Sequence, residues 1–403
     1  MKKSFIFTIS IFVLVIGSSN NLNAQDSKIE DINPRSLVDH FGNFAVFEEM
    51  VGMMGKRKYS IWDVKQKKAI GDVLEIKNGE FPPTFKLSIW NGSPYFQVIK
   101  QNRKGDKFTL KIFDLEEKAV EEYELAFRQG TFFAFSPDRQ HLAVQNDTNI
   151  YIMNLYPSSI DTSGKFITRY APTFTDTLHN GSLYQPRMSD RQLYSVNYSS
   201  NGRYIAAPIE AKEKDKKDDT GIIMLNVNNG ESLLLKNEVS ADKYKKIYPR
   251  NLVFSASKYI CLNYGDKKVL LYDAESLSLL RTIDVGTNAF KESKKRSDGQ
   301  VILRSDLLFS KRKVSTMTFS PDEKYLFVSY NDDLLISVFR LETGEEVYLF
   351  GKENCGVSFS KLWFANNSLF AMPNLQVAGT DPETMEKCGG IFIYDYARLK
   401  ENF

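Results

Sequence analysis

One phrase recurs along this chain and limits what it can fold into. The clearest copy is Phe319-Ser320-Pro321-Asp322-Glu323-Lys324-Tyr325-Leu326-Phe327-Val328, and a second is Phe135-Ser136-Pro137-Asp138-Arg139-Gln140-His141-Leu142-Ala143-Val144. Each copy reads as an apolar strand ending in Phe-Ser, a tight turn, then a second strand that opens on an aromatic ring or its equivalent. Pro and Asp preset turn dihedrals, and the alternation that follows has the period of a half-buried strand. Self-similarity at roughly 40 to 70 residues marks a repeat architecture. Shorter forms of the phrase are Tyr198-Ser199, Phe254-Ser255 and Phe359-Ser360.

A second signature follows each copy of the phrase, occurs twice more ahead of the first copy, and can be counted. It is Ile61-Trp62-Asp63-Val64, Ile112-Phe113-Asp114-Leu115, Ile152-Met153-Asn154-Leu155 and Met224-Leu225-Asn226-Val227, then Leu271-Tyr272-Asp273, Val338-Phe339-Arg340-Leu341 and Ile393-Tyr394-Asp395-Tyr396. An apolar pair closed by a turn-forming Asp or Asn is the end of a third strand. A twisted four-stranded sheet with two apolar faces cannot bury both alone. Radial stacking buries each face against a neighbour and leaves only short edges exposed. The sequence therefore predicts an all-β fold: a single seven-bladed β-propeller of four-stranded antiparallel blades over residues 25–403.

These residues carry a resemblance. Phe319 to Leu341 resembles a WD40-like or YVTN-type propeller repeat, and Ile61-Trp62-Asp63 is similar to the WD dipeptide. The resemblance implies the fold over nearly the whole chain. The Gly-His signature of WD40 repeats is absent, so no defined subfamily is implied.

The two ends need separate accounts. The last signature lies so close to the C-terminus that little chain remains for a fourth strand. Lys28 to Ile32, just ahead of a first blade beginning near Ser36, is the expected closing strand. Upstream, Lys2 and Lys3 precede an apolar run from Phe5 to Ile16, and small and polar residues lead to Asn23-Ala24-Gln25. This reads as a secretory signal over residues 1–24. The run is shorter than the about 20 apolar residues of a membrane span. An exported protein follows, placed in the periplasm or at the cell surface of a bacterium. Losing Lys2 and Lys3 takes the formal net charge from +3 to +1. A near-neutral chain gives no argument for nucleic acid. We expect a monomer with no transmembrane segment after signal cleavage. Export permits disulfides. Cys261 sits in an apolar strand and reads as buried, while Cys355 and Cys388 are left as a pair that geometry must decide.

Insertions are where a repeat scaffold carries function. Four segments are long: Tyr156 to Gln192, Ala211 to Thr220, Val285 to Lys313 and Pro373 to Gly390. In antiparallel blades, second-to-third and blade-to-blade connections share one rim. All four segments are therefore expected on that rim, which becomes the expected binding face for a protein or glycan. Its candidate contact residues are Tyr170, Phe174, His179, Tyr184 and Arg187 in the first segment, and Lys295, Arg296 and Arg304 in the third. Aromatics and Arg are the usual anchors of binding surfaces. Asp176-Thr177-Leu178 also resembles the acceptor triplet of bacterial O-glycosylation systems, which makes Thr177 a candidate modification site.

Catalytic motifs are not evident. The histidines are His40, His141 and His179, and His141 falls where Tyr204 and Tyr325 stand in other repeats. HExxH, CxxC, Walker-type and GxSxG patterns are missing, so no catalytic, metal or cofactor residues are expected. A lactonase or other hydrolase sited in the channel is the alternative. It would need carboxylates with Arg or His gathered around the axis.

Overall fold

The computed structural model describes residues 27–29, 36–51, 56–76, 83–90, 93–102, 108–114, 121–125, 132–138, 141–146, 149–160, 166–170, 175–180, 196–209, 221–236, 251–264, 267–285, 294–295, 301–302, 313–331, 334–352, 355, 357–374 and 388–403. The predicted signal at 1–24 lies outside them.

The strands run in order around a ring. After β1 (Ser27–Ile29), the first sheet holds β2 (Ser36–Phe41), β3 (Phe44–Val51), β4 (Lys56–Asp63) and β5 (Lys68–Ile76). The second holds β6 (Thr84–Trp90), β7 (Ser93–Gln101), β8 (Phe108–Asp114) and β9 (Glu121–Leu125). The third contains β10 (Phe132–Phe135), β11 (His141–Asn146), β12 (Asn149–Ile160), β13 (Phe166–Tyr170) and β14 (Thr175–Asn180). Next come β15 (Asn197–Tyr198), β16 (Tyr204–Ile209), β17 (Gly221–Asn226) and β18 (Ser232–Lys236), then β19 (Asn251–Phe254), β20 (Tyr259–Asn263), β21 (Lys268–Asp273) and β22 (Leu279–Asp284). A small hairpin, β23 (Lys294–Lys295) with β24 (Val301–Ile302), precedes β25 (Val314–Phe319), β26 (Tyr325–Tyr330), β27 (Leu334–Arg340) and β28 (Glu346–Lys352). Last are β29 (Phe359–Ala365), β30 (Ser368–Pro373), β31 (Ile391–Asp395) and a short helix α1 (Tyr396–Lys400). No described helix is long and apolar enough to cross a membrane.

The architecture is a β-propeller with antiparallel four-stranded blades, but the blade count differs from the expected seven. Six sheets are four-stranded and one has five strands. The exception arises because β12 runs past its sheet. Its first half pairs with β11 and β14, while its second half, Leu155 to Ile160, pairs with β13. This also corrects the reading of Tyr156 to Gln192 as one long connection. Part of it is the strand beside β12, and part is a hairpin.

Buried clusters join consecutive sheets, as radial stacking requires. Val46 and Tyr59 of the first sheet pack on Leu87 and Phe96 of the second. Phe327 and Phe350 pack on Leu362 and Phe392 of the last sheet. The last sheet returns to the first through Trp363, Phe370 and Ile393 against Leu37, Phe47 and Trp62. Ring closure needs one more strand at the outer edge. β1 supplies it by pairing antiparallel with β31, Lys28 opposite Phe392 and Ile29 opposite Ile391.

The recurring phrase now has a physical account. In four repeats the Ser N–H donates to the carbonyl of the aromatic position that opens the second strand: Ser136 to His141, Ser199 to Tyr204, Ser255 to Tyr259 and Ser320 to Tyr325. The hydroxyl of each Ser accepts that same residue's N–H, and those of Ser136, Ser199 and Ser320 donate to Asp138, Asn201 and Asp322. One side chain thus satisfies the turn in both directions. His141 makes the backbone contacts that Tyr204 and Tyr325 make, as its place in the repeat suggests. The third-strand Asp or Asn acts likewise: Asp63, Asn226, Asp273 and Asp395 each accept backbone N–H groups from the turn that follows.

Phe359-Ser360 was expected to end an inner strand, and it does not. It opens β29, and the Ser360 hydroxyl donates to the Met372 carbonyl, 3.1 Å away. In this sheet the inner turn is Asn366-Asn367, with φ of 47° and 61°. Asn tolerates the left-handed region, so no Ser-Pro-Asp is needed.

Candidate functional site

The predicted rim residues divide between described and undescribed segments. Tyr170 ends β13, Thr177 and His179 lie on β14, and Lys295 lies on β23. Phe174, Tyr184, Arg187, Arg296 and Arg304 lie outside the described residues. Backbone register separates the first group. His179 sits opposite Ile150, so Thr175–Asn180 serves as sheet rather than loop. Tyr170 sits opposite Leu155, beyond the third-strand signature. Third strands end on the rim of the Ser turns, so the β12–β13 hairpin projects from the regular rim, opposite to expectation. Segments 181–195, 210–220, 286–312 and 375–387 still connect strands whose ends lie on the other rim.

That other rim carries a cross-link. Cys355 precedes β29 and Cys388 precedes β31, and they form a disulfide with a Cα–Cα distance of 5.9 Å. A blade-to-blade connection is thereby tied to the root of a second-to-third connection. Cys261 is the free thiol, buried in β20.

The central channel holds a cluster of polar groups that the repeat pattern gave no reason to expect. Its inner strands lie side by side, β29 against β2 and β2 against β6. A β-bulge between Leu37 and Asp39 decides where β2 points its side chains. Leu37 packs toward the last sheet and Val38 toward the second. A bulge repeats a facing where alternation would reverse it. Asp39 accordingly also points to the second sheet, where its Oδ2 accepts the Leu87 N–H at 2.6 Å. His40 turns back to the last sheet, its ring 6.2 Å from that of Trp363. Similar bulges fall near the start of β25 and β29. Ser315, at the first of these, donates to the Phe359 carbonyl across the inter-blade gap at 2.7 Å.

Lys361 lies two residues before Trp363 on the regular part of β29, so both share the face toward β2. Lys86 stands on β6 beside Leu87. These groups interact electrically. Burial pushes the His40 imidazole down to about 4; Asp39 opposes this, while Lys361 and Lys86 add to it. Burial also lowers Lys361, with Asp39 again opposing. Both residues are half-buried, with part of their surface left open.

The His40 shift has a testable consequence for stability. Its folded value of about 4 lies below the ordinary 6.5. As pH falls through 6.5, the unfolded chain takes up the proton first. The contribution is absent above pH 6.5, grows as pH drops, and is complete below the folded value. The expected loss at pH 5 is roughly 2 kcal/mol. Urea denaturation at pH 7 and pH 5 reads it, and His40→Gln should remove that part of the loss. An unchanged pH dependence in the variant would contradict the placement of His40.

No protein-family model matches the chain, and no curated protein does. Solved structures do resemble it. The β-propeller domain of Myceliophteria thermophila Cps50 (Swd1) matches with a TM-score of 0.51 at 13% identity, covering 90% of this chain and 97% of that one. A chain of the mitotic checkpoint complex matches with a TM-score of 0.51 at 11% identity, covering 92% and 95% respectively. These neighbours are WD40 β-propellers, and at such identity they establish the fold alone.

Proposed function

We propose that this chain is an exported, non-enzymatic binding scaffold that docks a protein on the rim opposite its Ser turns. The Cys355–Cys388 disulfide carries the reading. Such bonds persist in oxidising compartments, which fits the signal read at residues 1–24. The bond also fixes the base of an excursion on that rim, which lowers the entropy a loop loses on binding. On the regular rim, by contrast, turns are stitched to their neighbours. Arg281 donates to the Glu342 and Thr343 carbonyls, Tyr204 to the Glu275 carbonyl, and Tyr396 to Asp322. The resemblance to a chain of the mitotic checkpoint complex, a protein assembly, is in keeping with a protein partner. We also count the five-stranded sheet as a seventh blade, with Thr175–Asn180 as its fourth strand and the β12–β13 hairpin as an insertion.

The channel hydrolase has less support. Among the described channel residues the carboxylate is Asp39, already hydrogen-bonded to backbone, and the cations are lysines. Photo-crosslinkers placed at Lys313 and Asn331 on one rim, and at Thr343 on the other, test the docking face in the native cell. Protein adducts should form at the first two positions and not at Thr343. Adducts at Thr343 alone would overturn the assignment, and capture of glycan in place of protein would change the partner. Mass analysis of the native N-terminus should find Gln25 first. The same analysis reads Thr177, where bare threonine removes the glycosylation reading.

A further inference from the structure

We propose that the channel sector where β29, β2 and β6 meet binds a small oxyanion, a carboxylate or phosphate group, held by Lys361 and Lys86 with the ring N–H groups of Trp363 and His40. This site lies on the axis and does not depend on the docking rim.

Four observations converge on it. First, the charges do not balance. The titratable groups contributed by the three inner strands are Asp39, His40, Lys86 and Lys361. His40 is neutral at pH 7, and the one carboxylate is set against two ammonium groups. Secondly, the carboxylate is partly committed, since its Oδ2 takes the Leu87 N–H. No side-chain hydrogen bond or close ion pair joins Lys86 or Lys361 to another described residue, although the Asp39 charge acts on Lys361. Thirdly, Trp363 is 2% exposed and its Nε1 has no hydrogen-bond partner. A buried N–H left unmade costs about 1–3 kcal/mol, so such a donor usually has a use. It lies on the strand face that also carries Lys361, beside the His40 ring. A neutral imidazole retains one N–H donor. Fourthly, the bulge at Val38 sets the facing of the residues after it, so that Asp39 points toward the second sheet and His40 toward Trp363. The result is a donor-rich wall with two lysines, beside an Asp39 whose Oδ2 is held by the Leu87 N–H. An oxyanion supplies the missing negative charge and accepts the unused N–H groups, and charge-assisted bonds of this kind are the stronger class.

The three tryptophans give three indole N–H signals, which make the site directly observable. The probes are inorganic phosphate and acetate, titrated at pH 7 and constant ionic strength with sodium chloride as the reference salt. We expect the Trp363 signal to move saturably with a dissociation constant in the millimolar range or below, while the Trp62 signal stays in place. The His40 titration should move upward when the anion is bound, because the anion offsets the two lysines. Lys361→Gln should weaken binding roughly tenfold. If that variant fails to fold, Lys86→Gln and the wild-type titration carry the test. A Trp363 signal that never moves, or that moves equally with chloride, overturns the proposal. So does a folded Lys361→Gln protein with undiminished affinity.

Discussion

A chain lacking residues 25–34 is expected to melt at a clearly lower temperature than the chain that keeps them. The ring is held closed at one place by β1, which is only three residues long. Ile29 is 3% exposed and belongs to the cluster that joins the last sheet to the first. Losing that side chain costs about 1.5–3 kcal/mol in burial alone, and the freed edge of β31 adds lost backbone hydrogen bonds at about 1 kcal/mol each. Lys28 Nζ also leaves its position 5.8 Å over the Phe392 ring. For a domain of this size the sum predicts a fall of roughly 6 °C or more. Gly390→Ala offers a second route to the same result without shortening the chain. Gly390 has φ +81° and a Cβ there would stand 2.6 Å from the Ile29 carbonyl oxygen. The added methyl therefore pushes β1 away and strains the backbone. Calorimetry of both variants decides the matter, and an unchanged melting temperature after the deletion would show that β1 does not close the ring.

Replacing both Cys355 and Cys388 with Ala is expected to have an effect of similar size. The bond closes a loop with a sequence separation of 33 residues. Cross-linking over that span removes loop entropy from the unfolded chain worth roughly 4 kcal/mol. Both sulfurs sit in the cluster between the last two sheets, so their burial survives reduction better than the restraint does. Urea unfolding with and without a thiol reductant should separate the wild-type midpoints and leave the double variant's midpoint unmoved. Buried Cys261 takes no part, because burial pushes its thiol well up and holds it in the unreactive form. Coincident midpoints for oxidised and reduced wild-type protein would mean that the bond adds nothing.

The inner three strands of each sheet were legible because their constraints are local. Third strands are buried on both faces, as in β27, so the apolar signature is continuous and its closing Asp or Asn is a turn residue. Outer strands lack that pressure. β22 is exposed at most of its positions, and Thr175–Asn180 reads as polar sequence because an edge strand needs little apolar alternation. That is why β14 reads as loop in the sequence. Phe359-Ser360 misled for a related reason: the dipeptide is informative only when the turn follows it. The channel cluster was not legible at all. Asp39 and His40 are far from Lys361 in sequence and meet only because the ring closes. A bulge at Val38 leaves no mark in the residue pattern either. The disulfide was open on sequence, since pairing depends on distance that spacing does not set.

The pairing of β1 with β31 also orders events in time. A chain is made from its N-terminus, and the strand that finishes the last sheet is the first of the described strands to emerge. It must remain unpaired until residues near the other end exist. The earlier sheets can each form from contiguous sequence, but the closing contact spans almost the whole chain, and contacts of that separation form slowly. During that interval β31 presents an open strand edge, the feature most prone to pairing with another molecule. Refolding should therefore end in a slow closing phase, with aggregation concentrated before it.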